Sequence, residues 1–120
     1  MKTFSVDVRH DGDRYVLHAR GEIDVEHAAD LHSIGMLAIS SALDASPIVI
    51  DLSDVEFMDS TGLGALVAIR NAAQESGREV HLRRPSSRVQ RLLKITGMDN
   101  VFAIDDPMED DTVGDATPAP

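Results

Sequence analysis

The chain contains no cysteine, which excludes a disulfide framework and any thiolate metal site and fits a reducing compartment. It also lacks a long apolar run: no stretch approaches the roughly 20 residues needed to cross a bilayer. The opening Met1-Lys2-Thr3-Phe4-Ser5-Val6-Asp7 alternates in polarity and does not form the apolar segment of a signal peptide. Positive charge is scarce, with 11 Lys and Arg against 21 Asp and Glu and a formal net charge of -10. Nucleic acid and anionic membranes both reward a basic surface, so neither is expected as the main partner. These absences together lead us to expect a soluble, cytoplasmic protein.

The 120 residues suit one domain with a tail better than two domains, and about 100 residues can bury a core without staples. The acidity is uneven. Residues 105–120 hold six acids (Asp105, Asp106, Glu109, Asp110, Asp111 and Asp115) and no Lys or Arg, and without them the formal charge is only -4. This segment also carries Pro107, Pro118 and Pro120 and few apolar residues. It lacks the burial that would offset chain entropy. The expected division is therefore a domain over residues 1–105 and an acidic, disordered tail over 106–120.

Within the domain, Phe4, Val6 and Val8 alternate with polar residues as a strand does. Asp11-Gly12 is a hairpin turn signal, and Tyr15 to Arg20 reads as the antiparallel return. Ala28, Leu31, Gly35, Ala38, Ile39 and Ala42 recur at helical spacing, predicting a helix over about 26–43. Ile48-Val49-Ile50-Asp51-Leu52 is nearly all apolar and predicts a central strand covered on both faces. A second helix is expected over 60–75, a strand around 80–83, a third helix to about 95 opened by Pro85-Ser86-Ser87, and a short last strand over 101–104. The order β-β-α-β-α-β-α-β predicts an α/β fold with a mixed, mostly parallel sheet of about five strands and an antiparallel hairpin at its edge.

The junction between the central strand and the second helix holds most of the chemistry. A helix start offers unpaired N–H groups and partial positive charge. Asp59 is a suitable N-cap, which places the Ser60 hydroxyl at the first helical position, and Gly62 and Gly64 leave that turn bare of side chains. A phosphate there would add about 1.5 to 2 negative charges beside Asp24 and Asp59. The residues taken alone also allow a plainer reading, in which Asp59-Ser60-Thr61-Gly62 merely caps a helix and the glycines permit close packing.

The run from Val49 to Gly64, with Asp59-Ser60-Thr61-Gly62 at its heart, resembles the signature of the STAS domain of bacterial anti-sigma factor antagonists, and Gly21-Glu22-Ile23-Asp24 resembles the second motif of that family. The resemblance covers roughly residues 3 to 105. It implies that Ser60 is the phosphoacceptor, that Asp24 supports its phosphorylation, and that Asp59, Thr61, Gly62, Leu63 and Gly64 form the partner-binding neighbourhood. It further implies that the unphosphorylated form binds an anti-sigma factor that is itself a serine/threonine kinase and thereby releases sigma factor. Phosphorylation would break that complex and a phosphatase would restore it. STAS domains also serve as non-switching subunits of transporters or stress-sensing assemblies, the alternative role.

Other chemistries find less support. Histidines 10, 18, 27, 32 and 81 form no metal-ligand pattern, since His27 and His32 fall on different helix faces. No metal or cofactor is expected. Asp51, Asp54 and Asp59 lack the further acidic pair and lysine of a phospho-aspartate receiver. Ser60 lacks the leading glycine of a nucleophile elbow, so no enzyme activity is expected. No Gly-Lys-Ser/Thr follows Gly62 and Gly64, and weak nucleotide binding stays open only because some STAS domains show it. Ser86-Ser87 reads as a helix cap, with modification of Thr61, Ser86 or Ser87 left open, and Arg88, Arg91 and Lys94 as an outward face.

Overall fold

Period-two patterning in the first 23 residues builds a hairpin. In a computed structural model that describes residues 3–41 and 46–105, β1 (Phe4–Asp11) pairs antiparallel with β2 (Arg14–Ile23), from Phe4 opposite Gly21 to Asp11 opposite Arg14. The two residues between them must reverse the chain, and Gly12 does so at φ +65, a region that costs other residues strain. The chain continues through α1 (Ala28–Ser41), β3 (Ile48–Met58), α2 (Ser60–Glu75), β4 (Val80–Arg83), α3 (Ser87–Thr96), a 3-10 turn (Met98–Asn100) and β5 (Ala103–Asp105). The five strands form one sheet in sequential order, parallel from β2 onward.

Sequential order decides where the helices lie. Right-handed crossovers along a strand order that never reverses all fall on one side of the sheet. Accordingly, Leu31 and Ala38 of α1, Leu66 and Ile69 of α2, and Val89 and Leu93 of α3 join a single buried cluster with Leu17, Ile48, Ile50, Leu52 and Leu82 of the strands. β3 is buried on both faces over Ile48 to Leu52, as expected, but among the described residues helices cover only one of them. Val16 and Val49 are buried but stand outside that cluster. They share the opposite face with His18, Asp51, His81 and Arg83, which alternation and register place beside them. On that face Asp51 pairs with Arg83 and His81 with Asp105.

Boundaries also move: β2 ends at Ile23 instead of Arg20, and β5 spans Ala103–Asp105 instead of 101–104. β3 runs to Met58, well past the expected end at Leu52, because β2 stays paired with it through irregularities between His18 and Arg20 and between Gly21 and Glu22. Ser86 occupies the N-cap position of α3 but its hydroxyl makes no cap hydrogen bond; it donates to the Val55 carbonyl at 2.8 Å and ties the helix start to β3. Residues 106–120, expected to be a disordered tail, lie outside the described residues.

Candidate functional site

The site forms where β2 and β3 end side by side, with Ile23 opposite Met58. The chain leaves β3 and enters α2 within two residues, so the entry must be held firmly. Asp59 does this: its Oδ1 accepts from Thr61 N at 3.0 Å, from Gly62 N at 3.1 Å and from the Thr61 hydroxyl. The Thr61 hydroxyl bond is the chief reason the Asp59 carboxyl titrates below its usual range. Burial opposes it, the Gly62 and Thr61 amides reinforce it, and the nearby Asp24 carboxylate works against it.

Gly62 then brings the first turn of α2 against β2. A Cβ at Gly62 would lie 2.5 Å from the Ile23 carbonyl oxygen and 2.9 Å from Met58 Cγ. Asp59 N also points to the Ile23 oxygen, at 3.4 Å. Leu63 is buried in the core. These two residues, expected to face a partner, are turned inward and act by fixing the turn. What the turn shows to solvent is Ser60, Thr61 and Gly64, all exposed, and a Cβ at Gly64 would meet nothing within 4 Å. Among the described residues, no group hydrogen-bonds the Ser60 hydroxyl.

Asp24 sits where expected, next to this junction, but it is buried, with only 3% exposed. Its Oδ1 accepts from Glu26 N at 3.1 Å, and its carbonyl accepts from His27 N and Ala28 N to start α1. His27 Nδ1 lies 3.0 Å from that same Oδ1, though not aligned as a hydrogen bond, and its ring stacks on Phe4. Ligand atoms of Asp24, Glu26 and His27 come within 4.8 Å of one another, a proximity invisible in histidine spacing alone. Asp24 and His27 face each other there, with the exposed Glu26 alongside.

The other acids of the motif go to separate surroundings. Asp51 accepts from the Ser53 amide and hydroxyl at 2.9 and 2.7 Å and meets Arg83 at 3.3 Å. Burial pushes its carboxyl up, yet the Ser53 bonds, His18 and Arg83 together leave it below the usual value. Asp54 meets His18 at 2.8 Å. Sequence reading missed two exposed apolar residues at this end of the sheet: Val25, 73% exposed just after Asp24, and Phe57, 37% exposed just before Met58. Their only signal was an apolar residue inside a polar loop motif.

Comparison with known proteins bears on this geometry. The family described as "Mlab, STAS domain" matches residues 6–105. The chain is 33% identical over 100 residues to the anti-sigma-B factor antagonist of Bacillus subtilis (strain 168), covering 83% of this chain and 89% of that protein. It is 31% identical to an anti-sigma factor antagonist from Mycobacterium paratuberculosis of known crystal structure, with a TM-score of 0.71 and coverage of 93% of this chain and 92% of that one. The Bacillus cell fate determinant SpoIIAA, solved in its phosphorylated form, shares the fold at a TM-score of 0.66 and 18% identity, over 93% of this chain and 97% of that chain.

Proposed function

The chain belongs to the STAS domain family, and from that premise we propose that it is an anti-sigma factor antagonist whose binding surface is switched off by phosphorylation of Ser60. In the binding form it docks onto an anti-sigma factor, a serine/threonine kinase, and so frees sigma factor; the kinase modifies Ser60 and a phosphatase restores the hydroxyl. Sequence similarity to antagonists over more than four-fifths of the chain supports the role. The observation that carries the switch is the Ser60 side chain, exposed and unbonded on a junction whose neighbouring polar groups are engaged.

The physics of the switch follows from that placement. Asp59 and Gly62 hold the junction through backbone contacts that do not involve the Ser60 hydroxyl, so a phosphate need not disturb the fold. It does place about two negative charges in a surface that already includes Asp59, with Asp24 just beneath. A partner covering Ser60, Thr61 and Gly64, with Val25 and Phe57 as apolar contacts, would have to bury that charge uncompensated. Such burial costs several kcal/mol, and each 1.4 kcal/mol is a factor of ten in affinity.

The test is calorimetric titration of the cognate anti-sigma factor kinase with the wild type, Ser60→Ala and Ser60→Asp, together with mass-spectrometric mapping after incubation with ATP. Ser60→Ala is expected to bind as tightly as the wild type without ATP and to stay bound in its presence. Ser60→Asp is expected to lose about 100-fold or more in affinity while keeping its amide spectrum. Equal affinities for all three would sink the switch and favour a permanently docked STAS subunit.

A further inference from the structure

The charge along this chain is segregated. Residues 80–98 hold five cations (Arg83, Arg84, Arg88, Arg91 and Lys94) and no acid, while residues 105–115 hold six acids and no cation. Taking that +5 and that -6 out of the total of -10 leaves -9 on all other residues. By net charge, an acidic segment is thus favoured at the stretch around α3 over the rest of the molecule.

On α3 the attraction is concentrated. Val89 and Leu93 enter the core, and Arg88, Arg91 and Lys94, three residues apart, stand exposed on the other side. None of the three has an ion-pair partner among the described residues, whereas Arg83 is committed to Asp51 and Arg20 to Asp7. The acidic segment also starts at the right place. β5 ends at Asp105, whose carbonyl accepts from Arg84 N at 3.1 Å, just before α3 begins. Between α3, the 3-10 turn and β5 there is a cavity of about 270 Å³ lined by Gln90, Leu93, Lys94, Asp99 and Ile104. It lies beside Ile104, two residues before the tail begins. The cations Arg88 to Lys94 span about 9 Å of helix, and the ten residues 106–115 reach about 33 Å when extended, so the tether imposes no penalty of reach.

We infer that the exposed cationic face of α3 is the docking surface for the chain's own acidic tail, residues 106–115. Each exposed ion pair is weak, but tethering raises the local concentration of the tail to about the millimolar range, and several pairs act together. The contact is electrostatic and therefore salt-sensitive: the screening length falls from about 8 Å at 0.15 M to about 3 Å at 1 M.

The absence of cysteine gives a clean probe. In the full chain, Thr112→Cys carries a nitroxide, and paramagnetic broadening of backbone amides reports what the tail visits. At low salt, the amides of α3 are expected to lose more than half their intensity while those of α1 do not. The effect should vanish at about 1 M NaCl and in the same chain carrying Arg88→Gln, Arg91→Gln and Lys94→Gln. Broadening with no preference for α3, or a preference that survives high salt, would overturn the inference. So would broadening that appears only on isotope-labelled chains mixed with separate spin-labelled ones, because the occupant would then be a second copy. Should the triple variant not fold, the salt series on the otherwise wild-type chain decides.

Discussion

Asp59 and Gly62 hold the entry of α2 by different means, and substitution separates them. Asp59→Ala removes the cap of α2 and is expected to cost about 1 kcal/mol in urea denaturation. Its carboxyl is held low in the folded chain, so the stability it contributes is fully present above the ordinary aspartate value of about 3.9 and is lost as pH falls through the lower folded value. Asp59→Asn should therefore flatten the acid limb of the stability profile. Gly62→Ala forces a methyl group against the Ile23 carbonyl and is expected to destabilise by about 1–3 kcal/mol. Gly64→Ala meets open space on an exposed helix turn and should stabilise by up to about 1 kcal/mol. If a partner approaches this bare turn, the same methyl weakens binding, and titration of the kinase with a more stable protein would show it.

At the scale of elements, α2 shows how local and tertiary signals agree. Its start at Ser60 and end at Glu75 match the reading of the sequence, because the Asp59 cap and the apolar run are local in origin. The seam between α1 and α2 has a different origin. A Cβ at Gly35 would lie 2.5 Å from Ile69 Cδ1 and 2.6 Å from its Cγ1. Gly35→Ala would gain about 1 kcal/mol of helix propensity, yet overpacking by about 1–3 kcal/mol should outweigh it. Adding Ile69→Ala removes both clashing carbons, so the double variant is expected to lose less than the sum of the two single ones, a coupling readable in a denaturation cycle. Where an element's limits depend on a neighbour, the local signal falls short. β3 reaches Met58 only because β2 follows it through two irregularities, and Ser86 serves β3 instead of its own helix.

For the whole molecule, the sheet carries a charged network on the face that no described helix covers. Register lines up Asp7, His18, Asp51, Arg83 and Asp105 across all five strands. Next to that row, His81 is held between Glu79 and Asp105, each at 2.8 Å. The Glu79 bond raises the His81 pKa most, burial opposes it, and Asp105 adds to the rise. A raised histidine stabilises the fold fully below its unfolded value of about 6.5, and the contribution is lost as pH rises through the folded value. Thermal melts across neutral to alkaline pH should show a decline in the wild type that is reduced in His81→Gln. Because Asp105 ends β5 and begins the acidic segment, that decline tracks how firmly the last strand is held.

The amino-acid sequence determined the element order, the hairpin, the Asp59 cap and the Ser60 position, because each rests on residues within a few positions of one another. The tertiary structure decided which motif residues face solvent and which face inward: Leu63 and Gly62 inward, Asp24 buried, Val25 and Phe57 outward. It also decided that one sheet face carries the helices and the other a charged network. Those outcomes depend on strand order and on contacts between segments tens of residues apart, and side-chain pattern within one segment does not encode which distant segment will cover it.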